Sequence, residues 1–316
     1  GRPVAQLLLR VGLRTGGPQH LPGQGQRFGR RYHDAQRFRV GAGVMGAQIA
    51  AHCANAKVPV VLFDLPAKEG PKNGIVDKAI LNLTKLKPAP FGAKDVAQYV
   101  QAANYEEHLE LLQGCDLVIE AIAERMDWKH DLYKKVAPHI NATAIFATNT
   151  SGLSISKLSE GFDADLKARF CGVHFFNPPR YMHLCELIPL PTTRQDILDN
   201  LETFLTTTLG KGIITAKDTP NFVANRVGVA GMLATMAEAA KYGIPFDIVD
   251  QLTGSKLGRA KSATFRTAAG RHGISTAYTH ASRASATAPR PGSSARAATA
   301  RCWPAPPASG GRGSGR

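Results

Sequence analysis

The chain has 316 residues and a formal net charge of +15, long enough for two domains and a sizeable apolar core. The charge sits at the ends: residues 1–39 hold eight Arg and one acid, Asp34, residues 269–316 hold seven Arg and no acid, and residues 40–268 are left with +1. A nearly neutral body excludes a nucleic-acid-binding domain on charge grounds, because such a domain needs its Lys and Arg on the folded surface.

Five cysteines (Cys53, Cys115, Cys171, Cys185 and Cys302) without a CxxC or an even, short spacing suggest neither a metal site nor a disulfide framework. No run of about 18 apolar residues is present, so no membrane span is expected and a cytoplasmic location follows. Residues 269–316 are almost entirely Ala, Arg, Ser, Gly, Pro and Thr, too apolar-poor to offset ordering entropy, and are expected to be disordered. Residues 1–39 share the excess of Arg and Gly and are expected to be unstructured, but lack the Ser of a transit peptide. Both ends fit out-of-frame translation of a GC-rich gene; natural basic tails are the alternative. No Met begins the chain, so an incomplete or processed protein is expected.

In chain order, the first motif is Gly41-Ala-Gly43-Val44-Met45-Gly46, followed by the apolar run Ile49 to Ala54 of a buried helix. The first Gly of such a GxGxxG makes a strand-to-helix turn, the second admits a pyrophosphate, and the third lets helix and strand pack closely. By itself the motif is as compatible with a structural glycine turn. Val58 to Leu65 reads as a strand carrying Asp64, eighteen residues after Gly46, near the distance at which an acid accepts ribose hydroxyls and favours NAD over NADP. A turn-forming Asp is the bland alternative. The segment His33 to Val40 would aim Arg37 and Arg39 at one packed face, so the strand preceding the motif is expected to be lost.

Ile75 to Leu86 and Asp95 to Ala102 read as an inserted helical hairpin. Lys78 and Lys85 would share one helix face, available to a phosphate-bearing ligand or simply solvated. Leu117 to Ala123 is a buried strand leading to Glu124, Asp127 to Val136 a helix, and Ala144 to Ala147 a strand delivering Asn149 and Ser151 at its carboxyl end. Ligands bind at that end of an open parallel sheet, though the two residues could equally form a polar turn.

Two β runs then flank a Pro-Pro loop, Gly172 to Ile188. If residues 177–183 form the loop, His174 stands directly opposite Glu186, close enough for an imidazole-carboxylate contact suited to proton transfer at neutral pH. Ile213 to Ala216 is another strand; Asp218 and Pro220 then read as the cap and first turn of a helix carrying Asn225 about two turns in.

Through GAGVMG, LVIEAIAE, ATNTS, HFFNPP, the acid twelve residues after the His, and DTPNFVANR, residues 40–268 resemble the L-3-hydroxyacyl-CoA dehydrogenase family. The resemblance implies an α/β fold. A Rossmann-type, doubly wound, mostly parallel NAD-binding domain over residues 40–217 would be followed by a truncated all-helical substrate and dimerisation domain over 218–268. It implies that His174 is the general base with Glu186 its partner. Ser151 and Asn225 would hydrogen-bond the substrate oxygen. Gly41, Gly43, Val44, Met45, Gly46, Asp64, Glu124, Lys129 and Asn149 would contact NAD. Asn177 and Lys85 would lie toward the acyl-CoA. It implies a homodimer; the cysteine spacing, the neutral body and the lack of a long apolar run leave no metal, nucleic-acid or membrane partner expected. Where the family usually carries Gly before the Phe of the DTP motif, this chain carries Asn221. The expected reaction is NAD-dependent oxidation of an L-3-hydroxyacyl-CoA, in fatty-acid β-oxidation or short-acyl metabolism. A related dehydrogenase of a free hydroxy or sugar acid, or a catalytically silent chain, are the alternatives.

Overall fold

The computed structural model describes residues 39–41, 44–258 and 263–270. The expectations for residues 1–38 and 271–316, and the position of Gly43, lie outside the described residues, while Arg39 and residues 269–270, expected to be unstructured, lie in a strand and a helix. The described residues fall into two compact units that part after Gly228.

The first unit begins with β1 (Arg39–Gly41), the buried helix α1 (Val44–Asn55) and β2 (Val60–Asp64). The strand before the glycine motif is therefore present, against expectation: β1 pairs in parallel with β2, Arg39 opposite Val61 and Gly41 opposite Phe63. A three-residue ladder is made by backbone groups, which do not depend on the side-chain pattern that argued against it.

Helix α2 (Gly74–Leu83) follows. The second half of the expected helical hairpin is corrected: Asp95–Tyr99 is a single 3-10 turn, and the chain passes directly into β3 (Val100–Asn104), which pairs in parallel with β2. The buried–exposed pattern of β3 is irregular because Gln101 faces solvent while Val100, Ala103 and Asn104 are buried, so a strand looks helical in sequence. Lys85 lies beyond the end of α2, so it does not share a helix face with Lys78.

Next come β4 (Leu117–Glu120), α3 (Met126–Val136), β5 (Ile145–Thr148), the short helices α4 (Ile155–Leu158) and α5 (Ala164–Ala168), and β6 (Phe170–Phe175). Strand β7 (Leu184–Pro189) returns antiparallel to β6; after α6 (Gln195–Thr203), β8 (Gly212–Thr215) closes that edge parallel to β7. The ladders run β3-β2-β1 and β4-β5-β6-β7-β8, with β1 lying beside β4. The chain thus moves outward from β1 to β3 and returns to β4, and this reversal opens a crevice at the carboxyl ends of β1 and β4. It is the Rossmann-type order, with its switch point at the glycine motif.

Strands β2, β4 and β5 are buried at every position, as sheets covered on both faces must be. A cluster of Tyr133, Phe146, Phe162 and Phe170, with ring centroids 5.0–6.0 Å apart, packs α3 on β5 and β6.

Helix α7 (Ala224–Lys241) begins in the first unit. The second unit holds the rest of α7, α8 (Phe246–Thr253) and α9 (Phe265–Gly270) around Ala239, Val249 and Phe265. There Asp250 accepts from the N–H groups of Phe265 and Arg266 and so starts α9. Among the described residues no helix is long and apolar enough to cross a membrane.

Candidate active site

The dinucleotide half of the crevice starts at the amino end of α1. No acid stands in its first turn, Val44 is exposed, Met45 is half-buried and Gly46 is buried against the sheet. A helix end of this kind presents unpaired N–H groups and a positive partial charge to an anion. At the end of β2, Asp64 is 1% exposed, its Oδ1 accepting from the N–H of Leu65 at 2.6 Å. An acid-free helix end, a buried glycine in its first turn and an acid at the end of the neighbouring strand fit a dinucleotide.

Three residues then gather just past the ends of β4 and β5. Glu124 Oε1 accepts from Thr150 Oγ1 (2.6 Å) and from the N–H groups of Ser151 (2.8 Å), Gly152 (2.8 Å) and Leu153 (3.3 Å). It shapes the turn after β5, and its Oε2 makes no bond among the described residues. Asn149 Oδ1 accepts from the N–H of Phe175 at 2.8 Å, tying the end of β5 to the residue after His174. Ser151 is exposed, and its carbonyl oxygen accepts from Asn225 Nδ2 at 3.4 Å.

Lys129 reaches the last residue of β4 from α3. It is 1% exposed, with Nζ 2.5 Å from Glu120 Oε1. Glu120, fully buried, also accepts from the N–H of Ile122 (2.6 Å), from Tyr133 Oη (2.6 Å) and from Thr148 Oγ1 (2.7 Å). A buried carboxylate with four donors explains why the ammonium is held inside.

The hairpin has the expected register: His174 faces Glu186, and His174 Nδ1 lies 2.8 Å from Glu186 Oε2. The two are 3% and 0% exposed, so the pair is shielded from bulk water. Glu186 Oε1 accepts from the N–H groups of Val223 (3.0 Å) and Ala224 (2.8 Å) at the start of α7. Burial pushes the Glu186 carboxyl up, but the His174 ring and these N–H groups outweigh it and hold it below its ordinary value. An ionised carboxylate only accepts, so Nδ1 carries the proton and the lone pair of the neutral ring sits on Nε2. Among the described residues nothing bonds Nε2.

Helix α7 starts later than the sequence suggests. Asn221 and Phe222 both have positive φ, 62° and 47°, which breaks a helix before Ala224, and Asn225 is its second residue. The left-handed conformation explains the departure at Asn221: after Gly, Asn tolerates it best. Phe222 is held there by burial and by its ring 5.7 Å from that of His174. Asp218 is not the cap of this helix; its carboxylate reaches the turn before α4. Asn177 is exposed on the hairpin loop and its Oδ1 accepts from Gln48 Nε2 of α1 at 3.3 Å, while Lys85 is exposed and distant in sequence from every other member.

Sequence reasoning missed Glu120 and Lys211. Lys211 is buried and donates to the carbonyl oxygens of Pro179 and Met182, fixing the hairpin loop. Glu120 lies inside LVIEAIAE, where an acid in the middle of an apolar run was the available signal, and Lys211 belongs to none of the quoted motifs. Cys53, Cys171 and Cys185 are buried free thiols, and burial raises all three, Cys171 to about 12, so none is a nucleophile at neutral pH.

Residues 39–219 match the family model of the 3-hydroxyacyl-CoA dehydrogenase NAD-binding domain. The chain is 46% identical over 230 residues to a probable 3-hydroxyacyl-CoA dehydrogenase of Deinococcus radiodurans, covering 72% of this chain and 66% of that protein. It is 42% identical to one of Bacillus subtilis, covering 72% of this chain but 31% of the relative, so it spans two thirds or less of these proteins. Among solved structures it is similar to M. tuberculosis FadB2 (TM-score 0.59, 26% identity, 69% of this chain and 76% of that one). It is also similar to (S)-3-hydroxybutyryl-CoA dehydrogenase PaaH1 from Ralstonia eutropha (TM-score 0.56, 29% identity, 67% and 74%).

Proposed function

This chain belongs to the 3-hydroxyacyl-CoA dehydrogenase family, and from that premise we propose that it oxidises the C3 hydroxyl of an L-3-hydroxyacyl-CoA to the 3-oxo group. The observation that carries the reading is the buried His174–Glu186 pair with an unbonded Nε2. NAD, when bound, supplies the hydride acceptor. His174 Nε2 takes the hydroxyl proton, and Glu186 keeps the ring in one tautomer and stabilises the imidazolium that forms. Ser151 and Asn225 hydrogen-bond the substrate oxygen, and their mutual contact favours that shared role.

In the same reading Gly41, Gly43, Val44, Met45 and Gly46 seat the pyrophosphate at the end of α1, and Asp64 accepts from the ribose. Glu124 Oε2 and Asn149 flank the nicotinamide side. Lys129, held to Glu120 by one of its three N–H donors, joins them on the NAD side. Residues 40–217 serve the dinucleotide and residues 218–268 open the helical substrate and dimer-forming domain, with Asn177 and Lys85 toward the acyl-CoA. A place in fatty-acid β-oxidation or short-acyl metabolism, in the cytoplasm and as a homodimer, completes the proposal.

The test mixes the purified chain with NADH and acetoacetyl-CoA, following nicotinamide absorbance for turnover and NADH fluorescence for binding. Turnover is expected. Turnover with a free oxo acid and none with the CoA thioester would move the chain to a dehydrogenase of free acids, and neither binding nor turnover would mark a silent chain.

A further inference from the structure

The turn that carries Ser151 is gripped by two carboxylates from opposite directions in sequence. Glu124 takes its first half, residues 150–153. Asp218 takes its second half: Oδ1 accepts from the N–H of Ile155 (2.9 Å), and Oδ2 accepts from Ser154 Oγ (2.9 Å), Ser156 N–H (2.9 Å) and Ser156 Oγ (2.7 Å). Helix α4 does not need Asp218 as its cap, because Ser154 Oγ already accepts from the N–H of Lys157.

Asp218 also opens the segment that leads into α7. Three residues on, Asn221 closes over Gly152: a Cβ built on that glycine would meet Asn221 Oδ1 at 3.1 Å. Four residues further, Asn225 reaches the Ser151 carbonyl oxygen. One short stretch therefore touches the Ser151 turn at three points, and the charged contact is at its origin.

We infer that Asp218 is a positioning residue that fixes the spacing between Ser151 and Asn225 by clamping the α7 lead-in onto the 151–156 turn, without itself touching substrate. This rests on the reading that Ser151 and Asn225 hold the substrate oxygen. A carboxylate suits such a clamp. Burial pushes it up, but the bonds from Ser156, Ile155 and Ser154 hold it below its ordinary value, so it stays ionised and accepts from all four donors at neutral pH.

The test is a double-mutant cycle with an exchange measurement beside it. Asp218→Asn should lower kcat/KM for acetoacetyl-CoA about tenfold with NADH affinity unchanged, since misplacement of a substrate-holding group is felt strongly in rate. In a Ser151→Ala background the further loss should fall below about twofold, because the two residues act through one contact. Ser156→Ala, which removes one of the four donors, should show a weaker version of the same pattern and guards against loss of folding in the Asn variant. Losses that simply multiply in the two backgrounds would overturn the inference.

Amide exchange separates this from the function itself. Asp218→Asn should speed exchange both at residues 151–156 and at residues 222–225, while Ile145–Thr148 stays protected; faster exchange at 154–156 alone would make Asp218 a local cap and overturn the clamp. This coupled exchange in Asp218→Asn, beside a wild-type chain without turnover, would refute the proposed function and uphold the clamp.

Discussion

The β6–β7 hairpin and the stretch from Thr84 to Lys94 lie against each other, and they are held in opposite ways. The hairpin makes its own ladder from Cys171–Pro189 to Phe175–Cys185 and its own side-chain pair across it. The 84–94 stretch has no ladder. Arg180 Nη1 bonds the carbonyl oxygens of Ala89 (2.7 Å) and Phe91 (2.9 Å), and Tyr181 Oη bonds that of Ala89 (3.0 Å). From α1, Asn55 donates to the Pro90 carbonyl oxygen (2.8 Å) and accepts from the N–H of Gly92 (2.6 Å). One region therefore holds the His174–Glu186 pair on a ladder of its own, and the other takes its shape from side chains that belong elsewhere. Damage to the first should reach both activity and stability, and damage to the second should stay local.

The largest effect is expected at His174. His174→Gln should reduce turnover by about 10²–10⁴, the usual contribution of a positioned general base, while NADH fluorescence titration shows unchanged affinity. Retained turnover would remove His174 from the reaction.

Glu186 comes next. Glu186→Gln should lower stability by about 2 kcal/mol at neutral pH, measured by urea unfolding, because hydrogen bonds to a charged acceptor are lost. Its native carboxyl is held below the ordinary value of 4.5, so the unfolded chain binds the proton more readily. The stabilisation is complete above that ordinary value and disappears as pH falls through the lowered native one. The gap between wild type and Glu186→Gln should therefore close in that acid window; a gap that widens there would reverse the assignment of charge.

Gly172→Ala tests the hairpin's packing alone. An added Cβ would lie 3.0 Å from Ile188 Cβ and 3.1 Å from Ile155 Cδ1, an overpacking expected to cost about 1–3 kcal/mol. Smallest is Asn55→Ala, which releases the 84–94 stretch. The expected loss is about 1 kcal/mol, with faster amide exchange at Gly92 and no change at residues 170–175. An equal effect on the hairpin would show that the two regions are one cooperative unit.

The hairpin's legibility follows from the same physics. In an antiparallel pair joined by a short loop, choosing the loop sets every partner, so His174 and Glu186 could be matched by counting. Strand β3 had no such local key. It pairs with β2 across the whole of α2, and the polar Gln101 and Asn104 hide its alternation. The start of α7 was misplaced because Asp218 and Pro220 are good helix-start residues, and only packing shows that Asn221 and Phe222 turn left-handed before the helix can begin.

By itself the sequence determined strand β2 with Asp64 at its end, strands β4 to β8, and the His174–Glu186 pairing, since each rests on spacing within one element or across one tight turn. Only the tertiary structure decided where the carboxylates of Glu120, Glu124 and Asp218 bind. Glu120 holds Lys129 inside, and Glu124 and Asp218 close on one turn from 26 and 64 residues away. A buried acid takes whichever N–H and O–H donors the packed chain brings to it, and no local pattern in the sequence records which those will be.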